Sequence, residues 1–401
     1  MKLLLKTGLF LCFGLAVLVI LALVPLRASY PLKNQAGVWL YERGHHEVAF
    51  AIFQNLATFG HAPSANNQGV MVNLGLGTKQ RFGEAFALYE RAAEAGVLAA
   101  KYNLARLYER GLGSLQNLDK AEALLAEAAE GGDPFARITL ARLIEQRQAS
   151  GWQARKEALL RQAADAGNPE AQYALGMLFY LDDQVPVAEQ AERSEAIMAW
   201  WQDAALQDHG LAQASLATAF RESDPVQALH WLRRAADNGI VSAQLGLAQR
   251  LAEGKDLPQD HEAAVAWYRK VAEAAEQPVR PPRGWPDLYA YHHPRLRPEE
   301  WQAMQIARLE LAELHLVGLG VAKDPARAAA LLQDAAESGW GQAAVKLAEL
   351  FRKGEGVPRD LSQTRRWLRA AVEAGYHPAL PQLEALEAEL GLPKPTARID
   401  G

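Results

Sequence analysis

A short string that closes a helix returns about every 36 residues along the chain. It reads Ala92-Ala93-Glu94-Ala95-Gly96, Ala128-Ala129-Glu130-Gly131-Gly132 and Ala163-Ala164-Asp165-Ala166-Gly167, and again Ala235-Ala236-Asp237-Asn238-Gly239 and Ala335-Ala336-Glu337-Ser338-Gly339. A fixed period of this length specifies stacked units that each contact mainly their neighbours, in place of one compact core. With the terminal Gly as register mark, the marks fall at Gly60, Gly96, Gly132, Gly167, Gly210, Gly239, Ala275, Gly339 and Gly375. Steps near 36 dominate. A step of 43 places extra residues around Asp182–Arg193, a step of 29 is a shortened unit, and a step of 64 isolates an insertion, Glu276–Ala303.

Each unit divides into two helices. Ahead of the small residues sits a bulky pair: Leu88-Tyr89, Leu124-Leu125, Leu159-Leu160, Trp200-Trp201, Trp231-Leu232, Trp267-Tyr268, Leu331-Leu332 and Trp367-Leu368. Large residues one turn from Ala make a face on which helices pack closely. On this reading Trp200, Trp231, Trp267 and Trp367 are packing residues, whereas Trp285 and Trp301 lie off the register. The first helix of a unit, as in Ala100–Tyr108 or Ala171–Phe179, carries apolar residues at helical spacing. Turns such as Gly111-Leu112-Gly113, Gly318-Leu319-Gly320-Val321 and Gly354-Glu355-Gly356-Val357 join the two, and Asp119, Asp260, Asp324 and Asp360 are expected to start the second helix.

This set of positions resembles the Sel1-like repeat family, a relative of the tetratricopeptide repeat. The agreement is best over Ala307–Gly339 and Ala343–Gly375 and extends over residues 40–391. Departures occur between Ala136 and Trp152 and between Ala212 and Pro225, where Gly-x-Gly is missing. The resemblance implies an all-α fold, a right-handed α-solenoid with a concave inner surface, and an adaptor role in protein complexes, often in bacterial envelopes. The expected layout is a membrane anchor or signal peptide over 1–28, a linker over 29–39, the solenoid over 40–391, and a tail over 392–401. Pro378–Gly391 reads as a capping helix whose Glu384, Glu387 and Glu389 make it polar outside.

The N-terminus contains Lys2 and Lys6, then Thr7–Leu26 without a charge. Twenty such residues give about 30 Å of helix, enough to span a bilayer. An uncleaved single-pass anchor in the bacterial inner membrane, with the repeats facing the periplasm, is the expectation; a cleaved signal peptide and a periplasmic protein is the alternative. Cys12 is the sole cysteine, so the part beyond it cannot form a disulfide within the chain. The net charge of −5 gives no reason to expect nucleic acid as a partner.

Motifs of catalysis are not found. Gly75-Leu76-Gly77-Thr78-Lys79 lacks the spacing of a phosphate loop and follows a helix, so it reads as a repeat turn. No Gly-x-Ser-x-Gly, Ser-x-x-Lys or His-Glu-x-x-His string occurs. Adjacent helical residues point about 100° apart, so His45-His46 and His292-His293 make poor chelates and read as surface histidines. No enzyme activity, cofactor or metal is expected.

The insertion offers partner-binding candidates. Six prolines oppose a regular helix over most of it, and among them stand Arg280, Arg283, Arg295 and Arg297 with Trp285, Tyr289 and Tyr291. Arg and aromatic side chains are common interface anchors. Two readings stay open: a loop packed on its own solenoid, and a partner site built from Arg283, Trp285, Tyr289, Tyr291 and Arg295. The first helices, around Asn103 and Arg106, are the other candidate surface. The chain is thus expected to be a non-catalytic protein-interaction scaffold anchored in the envelope; an accessory role in envelope glycan or exopolysaccharide binding or export is the second reading. Exposed aromatics in the groove would favour glycan, and a charged or mixed groove would favour protein.

Overall fold

The computed structural model describes residues 29–148, 150–181, 190–273 and 298–392. Among them there is no strand. The helices are α1 (Tyr30–Glu42), α2 (His46–Thr58), α3 (Ala62–Leu74), α4 (Phe82–Glu94), α5 (Leu98–Arg110), α6 (Leu118–Glu130), α7 (Pro134–Arg147), α8 (Trp152–Asp165), α9 (Pro169–Leu181) and α10 (Gln190–Leu206). They continue as α11 (Gly210–Ala219), α12 (Pro225–Asp237), α13 (Val241–Glu253), α14 (His261–Ala272), α15 (Pro298–Val317), α16 (Pro325–Glu337), α17 (Gly341–Lys353), α18 (Leu361–Glu373) and α19 (Leu380–Glu389), with a short 3₁₀ turn, His377–Ala379, before the last.

Two compact units divide the described residues, one up to Ile197 and one from Met198 onward. Each is a solenoid of helix pairs in which consecutive helices pack on one another, α1 through α9 in the first and α11 through α19 in the second. First helices of successive pairs also touch, α3 with α5 in the first unit and α13 with α15 in the second.

The small residues of the closing string explain the pairing. Ala92, Ala128 and Ala163 are fully buried, which lets the next helix approach closely. One turn earlier, Tyr89, Leu125 and Leu160 fill the space between pairs. The string ends each second helix with two backbone bonds: Gly96 N–H donates to Ala93 C=O at 2.9 Å, and Val97 N–H to Ala92 C=O at 3.1 Å. This closure requires a left-handed residue, and Gly96 takes φ +86°.

The same bonds correct one register mark. Asp208 N–H donates to Ala205 C=O and His209 N–H to Ala204 C=O, both at 3.1 Å, and Asp208 has φ +63°. Asp208 therefore closes α10, and Gly210 begins α11. Asp enters the left-handed region more readily than most residues, so the helix ends there without glycine. The mark expected at Ala275 lies outside the described residues.

Between first and second helices, Gly75, Gly111 and Gly354 cap in the left-handed conformation, so Gly75–Lys79 is a repeat turn. Asp260, Asp324 and Asp360 accept backbone N–H bonds as N-caps. Asp119 does not. Asn117 caps α6 by accepting from Lys120 N–H at 2.9 Å, and Asp119 sits in the first turn, paired with Arg147 at 2.6 Å.

Three further expectations change. Residues expected as a linker over 29–39 lie largely in α1, which starts with Pro31 in its first turn and buries Tyr30, Gly37 and Val38. The insertion's last residues, Pro298–Ala303, are helical, because Pro298 opens α15, where a missing N–H costs nothing. The cap helix α19 does form, but Glu387 faces inward at 1 % exposure, its Oε1 accepting from Arg365 Nε at 2.8 Å and Arg369 at 3.0 Å. The expected anchor over Thr7–Leu26 and the tail over 393–401 lie outside the described residues. No helix among the described residues is long and apolar enough to cross a membrane.

Candidate partner-binding surface

The first helices of the repeats carry the candidates Asn103 and Arg106, and their polar side chains are unevenly placed. In the first unit the row begins with amides and hydroxyls. Asn34 Oδ1, from α1, accepts from Ser64 Oγ at 2.8 Å and from Asn67 Nδ2 at 3.1 Å, both on α3. Asn66 Nδ2 donates to Asn67 Oδ1 at 3.2 Å, and Asn103 Nδ2, on α5, donates to Asn66 Oδ1 at 2.8 Å. All five side chains are buried. A satisfied chain of amides crossing three helices fixes their mutual register, since any slip would strand buried polar atoms. His61 joins at the margin, sharing a 2.7 Å hydrogen bond with Ser64, and burial lowers its pKa.

Asn103 was a candidate for contact with a partner. The structure places it inside this chain of amides at 0 % exposure, as a joint between repeats. Arg106, one turn further along α5, reaches the surface at 21 % side-chain exposure. It pairs with Glu109 at 2.5 Å, and Arg142 of α7 pairs with the same carboxylate at 2.9 Å. Arg110, exposed at the end of α5, lies close enough for its pKa to be lowered, by burial first and then by Arg106. Tyr102, buried beneath them, hydrogen-bonds Thr139 and feels Arg106 and Arg142; burial is the larger effect and pushes its phenol up.

In the second unit the corresponding helices differ in sign: α15 is acidic, whereas α17 carries Lys346, Arg352 and Lys353 against Glu349. Glu310 and Glu313 of α15 stand with Lys346 and Glu349 of α17, and Lys346 pairs with Glu313. The Glu310 carboxyl is pushed up by burial, then by Glu313, with Glu253 adding and Lys346 opposing. Both rows are therefore charged and mixed in sign, and the aromatic rings beside these clusters, Tyr102 and Tyr268, are buried.

The remaining candidates, Arg283, Trp285, Tyr289, Tyr291 and Arg295, lie outside the described residues. Trp301, off the register, packs edge-on against Trp340 with ring centroids 5.8 Å apart. Arg110, Arg142 and Glu109 were not singled out from sequence. Their signal was available: Arg106 and Arg142 are one repeat apart and occupy the same helical position. No cluster of three His, Cys, Asp or Glu residues able to hold a metal occurs among the described residues.

Comparison with known proteins fits this architecture. The family model described as Sel1 repeat matches residues 62–97, 98–133, 169–197, 216–240, 241–275, 305–340 and 341–376, more than half of the chain. The gap between 133 and 169 falls on the unit where Gly-x-Gly is missing and Gln148, at φ +48°, ends α7 instead. No curated protein matches the chain. Among solved structures, a Sel1 repeat protein from Oxalobacter formigenes is similar at 24 % identity and a TM-score of 0.53, covering 88 % of this chain and 93 % of that one. The antigen c5321 of uropathogenic Escherichia coli, described as displaying an SLR fold, has 22 % identity and a TM-score of 0.43 over 90 % of this chain and 81 % of its own. The immunity protein Pa5087 of Pseudomonas aeruginosa has 21 % identity and a TM-score of 0.39, with 53 % of this chain and 81 % of that chain covered.

Proposed function

The chain belongs to the Sel1 repeat family, and from that premise we propose that it is a non-catalytic scaffold for a protein partner, held in a bacterial inner membrane by Thr7–Leu26 with its repeats in the periplasm. Sel1 repeat proteins generally mediate protein–protein interaction, and the repeat is typically a non-enzymatic scaffold. The observation that carries the reading is the charged row of first helices: Arg106, Arg110 and Arg142 about Glu109 in one unit, Glu310 and Glu313 with Lys346 in the other. Charged side chains of both signs suit a protein surface, where they set register and partner choice. A glycan is gripped chiefly by stacked aromatics, which these clusters do not present.

The membrane placement is supported by the uncharged length of Thr7–Leu26, about 30 Å as a helix. Chemical crosslinking in intact membranes, followed by purification of the full chain, tests both parts. The expected result is a crosslinked protein, recovered from membranes that keep the chain through a high-salt wash. Recovery of polysaccharide instead of protein would overturn the scaffold reading. Mature chains beginning near Ser29 or Tyr30 would replace the anchor with a cleaved signal, and protease sensitivity only from the cytoplasmic side would reverse the orientation.

A further inference from the structure

We propose that Arg106, Arg110 and Arg142 receive the carboxylates of an acidic segment of the partner protein. The inference rests on the scaffold reading and adds the chemistry of what is bound. Two guanidiniums meet one carboxylate here, with a third close by: Glu109, only 11 % exposed, pairs with Arg106 at 2.5 Å and with Arg142 at 2.9 Å, and Arg110 feels both Arg106 and Glu109. Arg110 has no ion pair among the described residues and is exposed at the helix end. The cluster therefore keeps a positive excess inside a chain whose net charge is −5. The lowered pKa of Arg110, caused by burial and then by Arg106, reflects the same crowding of cations.

A guanidinium offers a planar fork of donors that matches a carboxylate, and the ends of Arg142 and Arg110 are available to do so. Glu109 supplies the rigidity: it holds Arg106 and Arg142 from adjacent first helices at fixed positions, so little side-chain freedom is lost on binding. In the second unit Glu310 and Glu313 of α15, with Glu253, outnumber Lys346, so an acidic segment is less favoured at that cluster than in the first unit. Nucleic acid is the poorer occupant. It needs cations spread along many phosphates, and this is one cluster in an acidic chain.

The test uses the full chain in detergent micelles and a short labelled peptide alternating Glu and Ser, with Gln–Ser and Lys–Ser peptides of equal length as controls. Fluorescence anisotropy is expected to detect binding of the Glu peptide alone. Arg110→Gln with Arg142→Gln should weaken it about tenfold, roughly threefold for each arginine. Arg155→Gln with Arg161→Gln, both on the second helix α8, should leave it unchanged. Equal loss in both double variants would reduce the effect to bulk charge and overturn the proposal, as would Glu and Gln peptides that bind alike. Arg110→Gln alone removes no ion pair among the described residues, so its result stands even if the double variant loses helicity. Photocrosslinking from Gln146 in the first unit's row and Lys346 in the second's, in membranes, separates the two readings. Protein captured there while the Glu peptide fails to bind would sink this inference and leave the scaffold; no protein captured from either row would sink both.

Discussion

Gly113 lies against the carbonyl of Phe82: a β-carbon at position 113 would stand 2.5 Å from that oxygen. The turn between α5 and α6 thus rides directly on the start of α4, the second helix of the preceding repeat. Gly77 stands in the same relation to His46, at 2.5 Å, and Gly320 and Gly356 to His261 and Pro325. The second glycine of Gly-x-Gly is therefore a contact between repeats as well as a left-handed turn residue.

Gly113→Ala is expected to cost roughly 3 kcal/mol or more, because it adds a backbone clash to an unfavourable φ. Gly96→Ala meets nothing within 4 Å and carries only the φ penalty, about 1–2 kcal/mol. Calorimetric melting of the two variants should show the larger loss for Gly113. Equal losses would mean that the contact with Phe82 is not a packing constraint.

Much of this was legible in the sequence because a repeat reports each structural requirement several times. The Ala-Ala-x-x-Gly closure, the buried second member of the bulky pair and the Asp caps are local rules, written again in several units. What escaped were the places where another residue meets the same rule. Asp208 closes α10 as glycine does elsewhere, and Asn117 caps α6 in place of Asp119. Of the two candidates on α5, Arg106 is partly exposed, but Asn103 on the same helical stripe is buried because Asn66 of the adjacent repeat claims it. Pairings between repeats depend on which faces meet, and a single helix's pattern does not carry that. A smaller signal also went unread. Gln80, Gln116 and Gln259 each return a side-chain amide to the carbonyl of Asn73, Glu109 or Ala252, seven residues earlier, tying the turn to its first helix.

The two members of one bulky pair should differ in weight. Tyr268 is 1 % exposed, whereas Trp267 is only half-buried beneath Lys270, whose Nζ lies 3.8 Å from the ring centroid. Tyr268→Ala should cost about 3–5 kcal/mol, and Trp267→Ala about 1–2 kcal/mol. Chemical denaturation distinguishes them, and the reverse order would contradict the assignment of Tyr268 to the contact between repeats.

Glu387 anchors the cap by joining Arg365 and Arg369 from inside, with Leu383 and Leu386 buried on the same helix. Its loss leaves two partly exposed arginines without their carboxylate. Glu387→Ala should destabilise the end of the array by about 2–3 kcal/mol. Because each repeat contacts mainly its neighbours, hydrogen exchange should accelerate in α18 and α19 and remain unchanged in α3–α6. Acceleration throughout would show that the array unfolds as one block.

Glu310 gives a pH dependence of defined sign. Its carboxyl is raised on folding, so the folded chain holds that proton more tightly than the unfolded chain does. Its contribution to stability therefore falls as pH rises from the ordinary carboxylate range through the raised value. Glu310→Gln should melt higher than the parent chain at pH 7, and the difference should close as the pH drops below the ordinary carboxylate range. A difference independent of pH would remove the charge from the explanation.

The central claim is that the first helices carry the partner. A photoreactive side chain placed in turn at Gln146 and Lys346, on first helices, and at Glu157 and Asp334, on second helices, tests it most directly in intact cells. The account predicts discrete protein adducts from Gln146 or Lys346 and none from Glu157 or Asp334. Adducts of equal yield from both sets, or protein captured only from the second helices, would contradict it.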